Sequence, residues 1–192
     1  MSRSNKKPTG NRDIILDSNV VQYFFSIPEY KDQISALLIP EIQKGYGVAI
    51  SDYTYFELIN GSSIEKEEKL FSAIEGGKRY YVMRGVLIAA GRLGCWFDDH
   101  KIQGVDNGDK IIGATALLNQ AIVLTANGRH FPQPFFKELA RATLERTDKN
   151  GSTHSIYLYY MEPDYSLVDT HATERLQKIE QLRIEQSKNV EK

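Results

Sequence analysis

The sequence predicts an α/β fold in three layers, a central parallel sheet with helices on both faces. Three observations carry that prediction. Short apolar runs at residues 14–16, 48–51 and 121–125 have the length and continuity of strands covered on both sides. The segments between them repeat apolar residues at helical spacing, so strands and helices alternate through residues 12–161. Asp17 stands where the first run stops and a helix begins, and in parallel sheets ligand chemistry gathers at the carboxyl ends of the strands.

Residues 1–11 are polar, basic and broken by Pro8 and Gly10, which predicts a flexible tail. After the first strand, Val20, Val21, Phe24 and Phe25 mark a helix that Pro28 ends. Ile34, Leu37, Leu38 and Ile42 make a second apolar stripe, with Pro40 expected to kink or divide it. Gly45 and Gly47 turn the chain into the strand at 48–51, and a helix carrying Glu57 follows over 52–60. Residues 64–75 read as a helix with Leu70, Phe71 and Ile74 on its buried edge and Gly76 and Gly77 closing it. A third strand is expected over 80–83. The next helix would bury Val86, Leu87, Ala90, Leu93 and Phe97.

Residues 100–108 form a polar loop, and Asp109 is expected to open a helix in which Gly113 and Ala114 permit close packing on the sheet. The fourth strand, 121–125, leads to Asn127 and Gly128. A helix is expected over 134–144, then a Gly-Ser loop and a tyrosine-rich strand over 155–161. The organisation is thus a tail at 1–11, one domain at 12–168, and a charged helix at 169–192. Its narrow stripe of Ala172, Leu176, Ile179 and Leu182 predicts packing on its own domain.

Charge is nearly balanced overall, but residues 13–168 hold 20 acidic against 15 basic side chains. A polyanion partner would therefore need a metal or a local basic patch to offset the acid. Cys95 is the only cysteine, which excludes an intrachain disulfide and a thiolate zinc site and is compatible with a reducing cytoplasm. No apolar run approaches the roughly 18 residues that span a bilayer, and the N-terminus lacks a signal peptide's apolar core. The four histidines are scattered without a His-x-x-x-His pair, no serine sits in a nucleophile elbow, and no phosphate-binding or dinucleotide glycine motif is complete.

What remains is a set of carboxylates at strand ends and helix starts: Asp17, Glu57, Asp106 and Asp109. Each alone has an ordinary explanation, as a helix cap, a solvated helix residue or a turn residue. Together they would repel one another unless a cation sat among them. An oxygen-only set without sulfur or imidazole favours Mg²⁺, with Mn²⁺ as the alternative. Such an ion would let an acidic pocket handle a phosphodiester.

Four stretches then resemble the successive motifs of PIN-domain ribonucleases, most of all the VapC-type toxins of toxin–antitoxin pairs. They are Ile15-Leu16-Asp17-Ser18-Asn19-Val20, Thr54-Tyr55-Phe56-Glu57-Leu58 with Asn60-Gly61, residues 109–116 from Asp109 to Ala116, and Leu124-Thr125-Ala126-Asn127 with Phe131 behind. The resemblance covers residues 12–135 and implies a PIN-like sheet. It also implies Mg²⁺-dependent endoribonuclease chemistry, with Asp17, Glu57 and Asp109 as catalytic and metal-binding acids.

On the same resemblance Ser18, Asn19, Thr125 and Asn127 are accessory, and Asp106 is either a further metal ligand or a residue that shapes the loop. His130 stands where relatives commonly carry an acid. Arg129 and Lys110 are candidates for contacting RNA phosphates, or are simply solvated. RNA as substrate, a cognate antitoxin and a homodimer follow from the likeness, and a cytoplasmic location is expected from the composition above. A haloacid-dehalogenase-type phosphatase is disfavoured because Asn19 stands where its second Asp is needed. A receiver-like domain leaves Glu57 without a role, and a binding module that has lost cleavage is the alternative from another class.

Overall fold

The computed structural model describes residues 12–74 and 77–190. The basic tail expected at 1–11, the expected role of Gly76, and the side chains of Phe71 and Ile74 lie outside what is described. The first strand, β1 (Asp13–Leu16), lies between β2 (Gly47–Ser51) and β4 (Ile122–Thr125), parallel to both, and β3 (Lys78–Tyr80) extends the parallel set beside β2. The chain places β2 and β3 on one side of β1 and then crosses to put β4 on the other. This makes the carboxyl ends of β1 and β4 the switch point where a site is expected.

Because successive strand residues point to opposite faces, Ile14 and Ile15 feed two different cores. Ile14 and Leu124 pack with Val20 of α1 (Ser18–Ser26) and with Tyr30, Ile34 and Leu38 of α2 (Pro28–Gln43). Ile15 and Val123 pack with Leu93 and Phe97 of α5 (Arg84–Asp99) and with Ile112 and Ala114 of α6 (Asn107–Leu118). A third cluster joins Val21 and Ile50 to Leu58 of α3 (Asp52–Ile59) and Leu70 of α4 (Ile64–Ile74).

The structure departs from the expected elements in ways that have physical causes. The helix expected over 134–144 is a strand, β5 (Phe136–Thr147), paired antiparallel with β6 (Thr153–Pro163), which pairs antiparallel with β4. The six-stranded sheet is therefore mixed, in the order β3-β2-β1-β4-β6-β5, with a parallel set of four strands. Helix formers such as Leu, Ala, Arg and Glu fill β5, but Leu144 is fully buried beside Leu158 under α2, and ladder pairing plus that burial overrides local propensity. Asp148 closes the hairpin turn by accepting from the backbone N–H of Asn150 (2.8 Å) and Ser152 (2.9 Å), with Gly151 at φ 83°.

Pro40 does not divide α2, because it lies in the last turn and forfeits only the bond its N–H would donate to the carbonyl of Ala36. Ile42 and Leu87 are exposed rather than core-facing. The third strand ends at Tyr80, before the expected 80–83. The last helix, α7 (Tyr165–Val190), begins ahead of residue 169. Its first turns dock: Val168 is buried, and His171 lies against Trp96, His100 and Phe135 with ring centroids 5.1 to 5.8 Å apart. Beyond that, Leu176 (57% exposed) and Leu182 (56%) face away from the domain, so the expected packing of the whole stripe does not occur.

Candidate active site

The site is built from the end of β1 outward. Asp17 caps α1 and is buried, and its own N–H donates to the Leu124 carbonyl at 3.0 Å, fixing the ends of β1 and β4 together. One carboxylate oxygen accepts from the Ser18 N–H at 2.7 Å, and the other accepts from Asn19 Nδ2 and Thr125 Oγ1, both at 2.6 Å. Burial pushes the Asp17 pKa up, and these bonds to the charged form oppose the shift without cancelling it. Asn19 also accepts from the Ala126 N–H (2.9 Å), and Thr125 from the Asn127 N–H (2.9 Å). The three accessory side chains predicted from sequence at 18, 19 and 125 all hold Asp17.

Glu57, on α3, is tied to the first acid by Ser18, whose hydroxyl donates to Glu57 Oε2 at 2.6 Å. Burial raises its pKa, and the charges of Asp17 and Asp106 raise it further. Asp109 is not the residue that opens α6. Asp106 is the N-cap, accepting from the Asp109 N–H at 2.9 Å, and Asp109 sits in the first turn with its side chain turned into the site. Its carboxyl group is pushed up to about 8, first by burial and then by the charges of Asp106, Asp17 and Glu57. The fold therefore brings all four predicted carboxylates into one another's field.

The far wall is Asn127, Arg129 and His130. His130 Nδ1 stands 2.6 Å from Asp109 Oδ2, yet that buried oxygen has no hydrogen-bond partner of acceptable geometry among the described residues. Asn127 Nδ2 lies 3.0 and 3.1 Å from the two His130 ring nitrogens, and Arg129 Nε donates to Asn127 Oδ1 at 3.1 Å. Lys110 is not brought to this wall; its stem lies along Gly94 of α5. Sequence reasoning missed Tyr53, which packs over Gly108, where a Cβ would stand 2.3 Å from its ring, and whose pKa the charges of Glu57, Asp106 and Asp109 help to raise. The Gly108 beside the acids was the only available signal.

As the side chains stand, no group of three or more His, Cys, Asp or Glu among the described residues is close enough to hold a metal ion. Asp17 has both oxygens engaged by hydrogen bonds. The chemistry of the set nonetheless fits a hard cation. The carboxylate donors are oxygens that raise one another's pKa, and Asp109 Oδ2 is buried with the His130 ring, not a well-aligned hydrogen bond, facing it.

No protein-family model matches the chain. Ribonuclease VapC19 of Mycobacterium tuberculosis, in two strains, is 35% identical over 103 residues, covering 51% of this chain and 78% of that protein. The chain belongs to the VapC-type PIN-domain ribonuclease family. Two solved structures share the fold of this VapC-type chain. VapBC-1 from nontypeable Haemophilus influenzae matches with a TM-score of 0.53 and 21% identity, and VapBC2 from Rickettsia felis, bound to a promoter DNA fragment, with 0.51 and 20%. Each comparison covers 62% of this chain and 90% of the other. The likeness to VapC-type structures thus extends over about three fifths of the chain.

Proposed function

We propose that the chain is a metal-dependent endoribonuclease and the toxin of a toxin–antitoxin pair. The observation that carries the reading is the convergence of Asp17, Glu57 and Asp109 from three separate elements, close enough that the charges of Asp17 and Glu57 raise the pKa of Asp109. Asp17, Glu57 and Asp109 would hold Mg²⁺ or Mn²⁺, with Asp106 at the margin. The ion would supply charge neutralisation at the phosphodiester and acidify a water.

The chain's own residues do the rest. Ser18, Asn19 and Thr125 keep Asp17 in one orientation, and Ser18 couples it to Glu57. Asn127 and Arg129, hydrogen-bonded to each other beside Asp109's neighbour His130, would orient the phosphate. Water, giving up a proton, adds to phosphorus, the bond to the 3′ oxygen breaks, that oxygen departs and takes up a proton as a 3′-hydroxyl, and the other fragment keeps a 5′-phosphate. Antitoxin binding and pairing of two copies complete the reading. Exposed Phe56 and Tyr81 and the outer half of α7 offer apolar surface for those contacts. A reducing cytoplasm suits the free Cys95, and no helix among the described residues is long and apolar enough to cross a membrane.

The test is the purified full chain against structured and single-stranded RNAs with Mg²⁺, Mn²⁺ or EDTA, beside Asp17→Asn. Cleavage is expected with either metal and not with EDTA or the variant. Cleavage that survives both would overturn the mechanism. Growth arrest by the wild type but not by Asp17→Asn, relieved by the protein of an adjoining short reading frame, tests the toxin assignment.

A further inference from the structure

The β5–β6 hairpin lies beyond the residues that carry the family motifs, and its register gives it a position the parallel strands do not share. Thr125, the last residue of β4, pairs with Tyr159, so residues 153–158 of β6 and their partners on β5 continue past the carboxyl edge where the acids sit. At the usual rise per residue that is a reach of about 20 Å. One face of this ribbon carries Leu144 and Leu158, buried against α2. The opposite face carries Arg141 and Thr143 on β5 and Tyr157 and Tyr159 on β6, cross-strand neighbours by register.

That second face is ordered without being covered. The Arg141 guanidinium lies 4.7 Å from the Tyr159 ring centroid and 5.7 Å from that of Tyr157, and Glu138 holds it through two bonds of 3.1 and 3.0 Å. Tyr157 remains 48% exposed. The ladder also joins the active site. Tyr159 lies flat against Gly128, where a Cβ would come within 2.8 Å of its ring, and Gly128 is followed by Arg129 and His130 of the site's far wall.

From this arrangement we infer that Tyr157 and Arg141, seated on Tyr159, form a base-stacking platform for single-stranded RNA leading into the acidic site. The inference rests on the ribonuclease reading above and adds where the strand outside the scissile phosphate is held. Phenol rings and a tethered guanidinium plane are the surfaces on which unpaired bases stack, and Arg129 and Arg141 supply charge for the intervening phosphates. The face runs into the site's far wall through Gly128, which favours the nuclease's own substrate as its occupant. Glu138 and Glu145 limit its net charge, and affinity therefore depends on stacking more than on counterion release.

The experiment uses the full chain carrying Asp17→Asn, with Glu57→Gln as a second background, so that RNA is bound and not cut. Anisotropy of a fluorescein-labelled single-stranded 12-mer is compared with that of a duplex of equal length. Tyr157→Ala is expected to weaken single-strand binding about tenfold, Tyr157→Trp to preserve it, and the duplex to bind more weakly than the single strand. Arg141→Ala should also reduce the slope of log affinity against log salt by about 0.7, which a structural effect alone would not do. Lys31→Ala, on α2 behind the ribbon's buried face, should leave binding unchanged.

Equal affinity of Tyr157→Ala and its parent would overturn the inference, as would absence of single-strand binding. So would a change in oligomeric state with RNA affinity intact, which would mark the face as a contact between copies. If the wild type cuts RNA and Tyr157→Ala cuts and binds it equally well, the platform fails while the ribonuclease reading stands. If no RNA is cut with any metal but binding depends on Tyr157 and Arg141, the nuclease reading fails and the platform stands.

Discussion

Replacing Asp109 by Asn tests the electrostatics of the site directly. In metal-free buffer the folded chain holds this carboxyl at a pKa of about 8, well above the ordinary value of 3.8. The native state therefore binds a proton more tightly than the unfolded state. Asp109 costs no stability below pH 4, and its cost grows as pH rises through the window from about 4 to 8. Full conversion of that shift gives an upper bound of roughly 5–6 kcal/mol above pH 8. Water reaching the pocket screens the charges, and a working figure is about 2–3 kcal/mol at pH 8 and about half of that at pH 6.

Asn keeps the shape and removes the charge, so Asp109→Asn should raise Tm in EDTA by about 5–10 °C at pH 8 and by at most about 2 °C at pH 5, for a domain of this size. Millimolar Mg²⁺ should stabilise the wild type at pH 8 by a similar amount, about 2.7 kcal/mol at a hundredfold excess over Kd, and should leave the variant unmoved. Scanning fluorimetry across pH with EDTA or Mg²⁺ reads all four conditions. A variant that melts below the wild type in EDTA at pH 8, or one that Mg²⁺ still stabilises fully, would refute the account of Asp109 as a repelled ligand.

Other consequences follow from particular contacts. Gly128→Ala puts a Cβ 2.8 to 3.1 Å from the Tyr159 ring and should cost about 1–3 kcal/mol, with Tyr159→Ala in the same chain recovering much of the loss; additive losses in the double mutant would contradict the contact. Leu158→Ala empties a fully buried site between the hairpin and α2 and should cost about 2–5 kcal/mol in urea unfolding, whereas a loss below about 1 kcal/mol would mean the hairpin is not part of the core. Leu182→Gln on the outer half of α7 should move stability by less than about 0.5 kcal/mol, and a large drop would place that half of the helix against the domain. Ser18→Ala removes the hydroxyl that donates to Glu57 at 2.6 Å and should lower kcat by about tenfold with the fold retained by circular dichroism; unchanged kcat would show that Ser18 does not position the acids.

The site was legible in the sequence wherever position along one element was enough. Ile14 to Leu16 followed by Asp17 reads as a strand entering a helix, and the helix start near Asp109 follows from its small-residue run. The exchange of roles between Asp106 and Asp109 was not legible, because both are helix-start carboxylates and only the turn geometry chooses which one accepts the N–H. The contact of His130 with Asp109 joins elements distant in sequence and left no local pattern.

By itself the sequence determined the alternation of strands and helices as far as β4, the four parallel strands of the sheet and the three acids at its edge, because periodicity, strand length and residue type act within one element. Tertiary structure alone decided that residues 136–147 are a strand. The burial of Leu144 and Leu158 and the ladder to β6 outweigh the helix propensity of that stretch, and those are interactions between segments. It also decided that α7 docks only through its first turns, since an apolar stripe on a helix is buried only as far as a partner surface extends.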